Sequence, residues 1–425
     1  MNDLMINNLL SLEDSLKVVK AEYLLRGKII NNPVEKLHVN MIKQLLSLLK
    51  RKTKEQKNAI AEWKNNPSLC KDLILKCRSN KYEFGRAQQT KIITSGKERI
   101  IYSYRTQDKI IQKYISLILN EIFDDSFYPE SFAYRRRRSI KKGVELIISQ
   151  SKSAKYFLKL DINKCFASID TNMLLGIIEN RISNPDFLRL IRKSLKSYSV
   201  IDGKKVKLPG VPQGSIHGPV LCNIFLDHVL DKPMRKEFPN VQMYRYADDI
   251  FITFEEDNYV KQINEWVEST LNNSNLLISE KTPNISTDIR KEQTFLGYKL
   301  KGNEDGIIID IQTIRIKAKI LELCLRDTPD NITNYLRNRF KSTPLSDKTL
   351  QSWKRLLETL PSSITNNLKS RVEISRLDYI IRSMEFDIDS LLREISYLLA
   401  QLPSRRNRIK IHYLETKEEI NNKVF

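Results

Sequence analysis

A chain of 425 residues, 41% hydrophobic and 29% charged, is long enough to bury cores in two to four domains, which excludes a disordered or fibrous protein. Its 72 lysines and arginines against 51 acids leave a net charge of +21 spread along the chain, so a polyanion is the expected partner, nucleic acid ahead of an anionic membrane surface. No apolar run approaches the length of a membrane span, Met1-Asn2-Asp3-Leu4-Met5 lacks the pattern of a signal peptide, and Cys70, Cys77, Cys165, Cys222 and Cys324 make no zinc spacing with the four histidines. A reduced, cytoplasmic protein without a zinc-dependent nuclease domain is therefore expected.

In chain order, residues 1–65 read as helical, with Leu37, Met41, Leu45, Leu46 and Leu49 at helical spacing and Lys50-Arg51-Lys52 suited to a helix C-terminus. Thr90 to Tyr102 reads as a hairpin turning at Ser95-Gly96-Lys97, with its basic residues along one face, either solvated or turned towards an anion. Asp108 to Phe123 is an amphipathic helix. Ser131-Phe132-Ala133-Tyr134 then leads into Arg135, Arg136, Arg137 and Arg138, a basic run beside aromatics that fits phosphate contact with stacking, and equally a solvated face.

Tyr156 to Leu160 reads as a strand ending at Asp161, a position suited to catalysis or to capping, and Ser168-Ile169-Asp170 can start a helix. A short hairpin follows around Asp202-Gly203. Gly210 to Pro219 is the densest turn cluster and feeds an apolar helix from Val220 to Leu230; small residues there let backbone N–H groups approach a phosphate or a base. From about residue 310 the pattern is helical to roughly residue 402, with a basic tail, Ser404-Arg405-Arg406-Asn407-Arg408.

Gln242 to Phe254 reads as two strands around Asp248-Asp249, in a turn, Tyr246-Ala247-Asp248-Asp249, that contains no glycine. Adjacent like charges repel unless a cation offsets them, although an isolated pair can also be a solvated tip. If Asp161 is a neighbour in the same sheet, three carboxylates meet. Such oxygen ligands suit Mg2+ or Mn2+ with substrate phosphates, and two such ions roughly 4 Å apart can activate a 3′ hydroxyl and stabilise a leaving pyrophosphate.

These blocks, in this order over about residues 82 to 300, resemble a reverse transcriptase of the group II intron-like bacterial type. Tyr246-Ala247-Asp248-Asp249 is similar to the Tyr-X-Asp-Asp box, Asp161 to Phe166 to the first catalytic block, and Gly210-Val211-Pro212-Gln213-Gly214 with Pro219 and Asn223 to the Pro-Gln-Gly block. Ser279-Glu280-Lys281-Thr282 resembles the lysine-bearing block, Phe295-Leu296-Gly297-Tyr298 the primer grip, and Ser131 to Arg135 the Ser-Tyr-Gly-Phe-Arg block. The chain departs from the pattern at Ile92-Ile93-Thr94, at Gly218-Pro219 and in its four consecutive arginines.

The resemblance implies an α+β right-hand polymerase, with fingers, a ferredoxin-like palm of antiparallel sheet and a helical thumb. The corresponding divisions are a helical extension over 1–65, fingers over 66–155, palm over 156–305 with further fingers elements around 173–220, and a helical thumb with an RNA-binding module over 306–425. It implies two Mg2+ ions, replaceable by Mn2+, on Asp161, Asp248, Asp249 and the Ile162 carbonyl, with Lys281 as proton donor to pyrophosphate. Lys91 and Arg99 would grip the triphosphate, Phe166 would exclude a 2′ hydroxyl and Gln213 would contact the incoming dNTP. Arg135 to Arg138, Gly297 and Tyr298 would contact nucleic acid. The implied partners are an RNA template, cDNA product and dNTPs. The implied role is an antiphage enzyme copying a dedicated non-coding RNA, with a group II intron maturase or a non-catalytic RNA-binding protein as alternatives.

Overall fold

The structure, a computed structural model, describes residues 10–50, 53–94, 97–201, 204–256, 259–279, 287–303 and 306–313, then 315–316, 319, 335, 338–339, 343–344 and 346–358. Its described part divides into two units. The first draws on the chain up to Arg138, on Leu158–Ile252 and on Asp257–Ile285; the second draws on Ser139–Phe157, Thr253–Glu256 and the chain from Ser286 onward.

The first unit opens with helices α1 (Leu12–Arg26), α2 (Val39–Ser47), α3 (Lys54–Asn65) and α4 (Pro67–Arg78). Their ends are written in the sequence. Ser11 caps α1 by accepting from the Asp14 N–H, and Gly27, at φ +68°, ends it by donating to the Tyr23 carbonyl. Asn66 caps α4, whose first residue is Pro67. The hairpin of β1 (Gln88–Thr94) and β2 (Lys97–Ser103) follows, and then the 18-residue α5 (Thr106–Phe123). Ile110, Ile111, Tyr114, Ile115, Ile118, Leu119 and Ile122 bury one side of α5 against α1, α2 and the later α10.

β3 (Tyr156–Asp161) leads into the short α7 (Cys165–Ser168), then α8 (Thr171–Glu179) and α9 (Pro185–Leu195), with α6 (Ile140–Gln150) belonging to the second unit. The hairpin β4 (Tyr198–Ile201) and β5 (Lys204–Lys207) precedes α10 (Gly218–Leu226). The helix widens into one π turn over Asp227–Asp231 and continues as α11 (Lys232–Glu237). β6 (Gln242–Tyr246) and β7 (Asp249–Phe254) then form the hairpin at the heart of this unit, followed by α12 (Tyr259–Asn272). In the sheet β7 lies between β6 and β3, and the outer edge of β6 is covered by residues 130–132 through a parallel bridge between Ser131 and Arg245.

In the second unit the far ends of β3 and β7 remain side by side, with the Lys155 N–H donating to the Phe254 carbonyl at 3.0 Å. β8 (Thr287–Asp288) pairs antiparallel with Tyr156 and Phe157. β9 (Gln293–Phe295), β10 (Tyr298–Asn303) and β11 (Gly306–Ile311) form a three-stranded antiparallel sheet, against which α6 and α13 (Asp347–Glu358) pack. The mixed architecture with antiparallel sheets is the class the sequence predicts. The helical module expected over 306–425 instead begins with strand β11, and most of the rest lies outside the described residues, as does the basic tail at 404–408. No described helix is long and apolar enough to cross a membrane.

Candidate active site

Asp161 is the last residue of β3 and Asp249 the first residue of β7. The two strands run antiparallel, and at this end the Ile162 N–H approaches the Asp248 carbonyl at 3.4 Å, so the backbone brings all three aspartates to one end of one sheet. Each is half-buried. The chain leaving Asp161 is fixed on its other side, where the Asp161 carbonyl accepts from Ser279 N–H at 2.7 Å and Asn163 N–H donates to the Leu277 carbonyl at 2.8 Å. The site therefore rests on backbone pairing, which holds position better than a free loop does.

The turn between β6 and β7 is unusual. Ala247 sits at φ +59°, in the left-handed region, where an L-residue is strained by about 1–2 kcal/mol. Glycine would relieve this, yet the position is a buried alanine. The compensating contacts come from Arg245, fully buried two residues earlier, whose Nη1 donates to the Ala247 carbonyl at 3.1 Å. Its Nε donates to Asp231 Oδ1 at 2.7 Å and its Nη1 also to Asn223 Oδ1 at 3.1 Å. Asn223 Nδ2 in turn donates to the Ala133 carbonyl at 2.8 Å. Arg245 and Asp231 are not singled out by sequence reasoning; the available signal is one arginine inside an apolar strand and one aspartate at the end of an apolar helix.

The glycine-rich loop is packed against the same region. A Cβ on Gly210, at φ +51°, would lie 2.4 Å from the Phe166 carbonyl oxygen, and Val211 N–H donates to that oxygen at 2.8 Å. The Phe166 ring, half-buried, lies beside Gly218. At the other end a Cβ on Gly214, φ +109°, would lie 2.3 Å from the Tyr102 carbonyl oxygen, and the Tyr102 N–H donates to the Gln213 carbonyl at 2.8 Å. The Gln213 side chain is exposed. Tyr134, half exposed, has its phenol pushed up to about 12 by partial burial, with the Asp248 carboxylate among the further causes.

Several expected residues are placed differently. In the β1–β2 register Lys91 lies opposite Ile100, and Arg99 opposite Ile92. Since cross-strand partners share a face and neighbours alternate, Lys91 and Arg99 project from opposite faces rather than along one. Arg99 shares its face with Ile101, whose side chain would meet a Cβ on Gly214, so Arg99 is on the side of the Gln213 loop. Arg135 points inward: its guanidinium, only 5% exposed, pairs with Asp124 at 2.9 Å and donates to the carbonyls of Asp124, Tyr128 and Ser131. Those donors are committed within the protein and correct the expectation of phosphate contact for Arg135. Arg136 is exposed and pairs with Glu121, while Arg137 and Arg138 are exposed.

In the second unit Leu296 and Gly297, at φ +52° and +81°, form the two-residue turn between β9 and β10. The Tyr298 side chain is fully buried beneath Arg339, whose guanidinium carbon lies 4.7 Å from the ring centroid, so its ring is not exposed at this turn. Lys281, expected as a proton donor, lies outside the described residues. His217 is fully buried, its Nε2 2.8 Å from Ser194 Oγ, and burial pushes its pKa down to about 3. Cys165 and Cys222 are buried with sulfurs 3.8 Å apart; their mutual hydrogen bond and burial raise the Cys165 pKa well above the ordinary thiol range, which keeps it protonated.

Asp161, Asp248 and Asp249 offer only oxygen donors, the set that hard divalent cations take. Among the described residues no three or more His, Cys, Asp or Glu side chains form a ready-made metal cage. An oxygen-only donor set is the kind Mg2+ takes, its remaining positions being filled by phosphate and water oxygens.

The family described as reverse transcriptase (RNA-dependent DNA polymerase) matches residues 87–300. An intron 2 protein of COX1/OXI3 from Saccharomyces cerevisiae is 28% identical over 225 residues, 49% of this chain and 26% of that protein. The group II intron-encoded protein LtrA of Lactococcus lactis subsp. cremoris is 36% identical over 126 residues, 29% of this chain and 21% of its own length. The chain thus spans about a quarter or less of these two relatives. Among solved structures, telomerase from Candida albicans in complex with a fragment of telomeric RNA aligns with TM-score 0.46 and 11% identity over 78% of this chain and 66% of that one.

Proposed function

The chain belongs to the reverse transcriptase (RNA-dependent DNA polymerase) family, and from this we propose that it copies RNA into DNA by adding deoxynucleotides to a primer end at Asp161, Asp248 and Asp249. The observation that carries the reading is the meeting of those three residues at one end of β3 and β7, beside the loop packed on Phe166. In the hand-shaped layout this proposal adopts, that sheet is the palm and the β1–β2 hairpin belongs to the fingers.

Asp161, Asp248, Asp249 and the Ile162 carbonyl would hold the divalent ions, which when bound offset charge on the triphosphate and activate the primer hydroxyl. The protein's own residues position the reactants. Gln213 contacts the incoming nucleotide from the loop between Gly210 and Gly214. Phe166 stands under the sugar and disfavours a 2′ hydroxyl. Arg99, on the loop side of the fingers hairpin, takes the triphosphate; Lys91, on the other face, is the weaker candidate. Lys281 supplies the proton to pyrophosphate.

The test is primer extension on an RNA template with four dNTPs and Mg2+. Labelled cDNA is expected from the wild type and a loss of at least about 10³-fold from Asp248→Ala/Asp249→Ala. No product from wild type, or undiminished product from the variant, refutes the reading. The template is proposed to be a structured RNA. Relatives named as intron proteins favour an intron-type enzyme, while the departures at Arg135 to Arg138 and Gly218-Pro219 favour the antiphage enzyme with its own non-coding RNA. Sequencing the RNA that co-purifies decides between them.

A further inference from the structure

We propose that Arg245 and Asp231 are a positioning pair, retained to hold the strained turn that presents Asp248 and Asp249; the proposal rests on the polymerase reading above. A fully buried ion pair is a poor choice for stability alone, since removing two charges from water offsets much of their attraction and apolar pairs of the same size often do better. This pair is completely buried. Its value must lie in what the arginine reaches.

The guanidinium offers its donors in a fixed planar fork, and here the fork serves three acceptors in different parts of the unit. Nε meets Asp231, delivered inward by the π turn that interrupts the α10–α11 helix; Nη1 meets Asn223 on α10 and the Ala247 carbonyl in the turn. The backbone of Arg245 is fixed as well: its N–H donates to the Glu130 carbonyl at 3.0 Å, and its carbonyl accepts from Phe132 N–H at 2.9 Å. With main chain and guanidinium anchored, the bond to Ala247 sets the peptide that precedes Asp248. That peptide is the one bent into the left-handed region at φ +59°. Lysine carries its three donors on one nitrogen and cannot reach acceptors that here are met from two, Nε and Nη1, and no apolar residue can hold the carbonyl.

Three variants separate positioning from packing. Arg245→Met/Asp231→Leu removes both charges and fills the space, so it should still fold, with a melting temperature lowered only by the cost of leaving Asn223 Oδ1 and the Ala247 carbonyl unpaired. Its kcat for primer extension is expected to fall about 10–100-fold, the cost of a displaced catalytic group, with the dNTP KM nearly unchanged. Mn2+ affinity of the protein without nucleic acid, read by electron paramagnetic resonance, should weaken several-fold. Adding Ala247→Gly lets the turn adopt positive φ without support and should restore part of both. A purely structural pair predicts no restoration.

If the apolar double variant does not fold, Arg245→Lys decides: a kcat loss at unchanged melting temperature supports positioning. Wild-type kcat and Mn2+ affinity in whichever variant folds overturn the proposal. An inactive wild type overturns the polymerase reading instead, and the Mn2+ affinities still judge the pair, because unchanged affinity in the variants refutes it.

Discussion

Gly210→Ala probes the link between the loop and Phe166. The native φ of +51° strains an alanine by about 1–2 kcal/mol. The new Cβ would also lie 2.4 Å and 2.5 Å from the carbonyl oxygens of Phe166 and Ala167, where ordinary carbon contacts need about 3.5 Å, so the two backbones must part by about 1 Å. That separation breaks the 2.8 Å hydrogen bond from Val211 N–H to Phe166, buried and worth about 1–3 kcal/mol when left unmade. The total is roughly 2–5 kcal/mol, less whatever the loop recovers by relaxing. Misplacing Phe166 and Gln213 by this amount should lower kcat/KM for dNTPs by about 10–100-fold and weaken discrimination against ribonucleotides. Thermal melting and paired primer extensions with dNTPs and rNTPs measure both effects. A variant that melts like the wild type and keeps its nucleotide selectivity would refute the coupling of loop and gate.

The opposite outcome is expected at Gly176→Ala. This exposed glycine lies inside α8 with nothing within 4 Å of a built Cβ, so alanine should stabilise by about 0.5–1 kcal/mol, seen as a higher urea midpoint with unchanged slope. His217, whose folded pKa near 3 lies below the ordinary 6.5, stays neutral in the fold while the unfolded chain binds a proton. Stability from this source is complete above pH 6.5 and is lost as pH falls towards 3; at pH 5 the loss is about 2 kcal/mol relative to neutral pH. Urea unfolding of the wild type and His217→Gln at pH 7.5 and pH 5 checks this, and equal pH dependence in the two would refute it. Arg135→Met should unfold at lower temperature, by about 3 kcal/mol or more of stability, because it orphans Asp124 and three carbonyls; RNA affinity of the folded fraction should be unchanged.

What was legible in the sequence is what local chemistry decides. The strands around Asp161 and Asp248, the helical spacing through Met41 and Leu45, and the tight loop at Gly210 to Gly214 follow from alternation, helical periodicity and glycine. The direction of long side chains is not local. Arg135 reads as one of four equivalent arginines, and only the carbonyls of Asp124, Tyr128 and Ser131 gathering around it turn it inward. Lys91 and Arg99 read as one basic face, but the register places them on two, because their separation across the turn fixes which neighbours pair. Tyr298, expected from the resemblance to contact nucleic acid, has its ring buried under Arg339, 41 positions further along the chain.

The missing glycine in the Asp248-Asp249 turn has the same kind of answer. A glycine at position 247 would accept the left-handed backbone freely, but it would also leave the turn other conformations to visit. Alanine at φ +59° has few alternatives once Arg245 holds its carbonyl. The nearby loop is arranged differently, with Gly210 and Gly214 admitting no side chain because backbone oxygens of Phe166 and Tyr102 occupy the space. One wall is thus kept in place by a strained residue with a buried support, the other by close backbone contact at both ends. A shift in the β1–β2 hairpin at Tyr102 must therefore be felt at Phe166 through the five residues from Gly210 to Gly214, so the nucleotide contact proposed for Gln213 and the sugar selection proposed for Phe166 should change together in any variant that loosens either end.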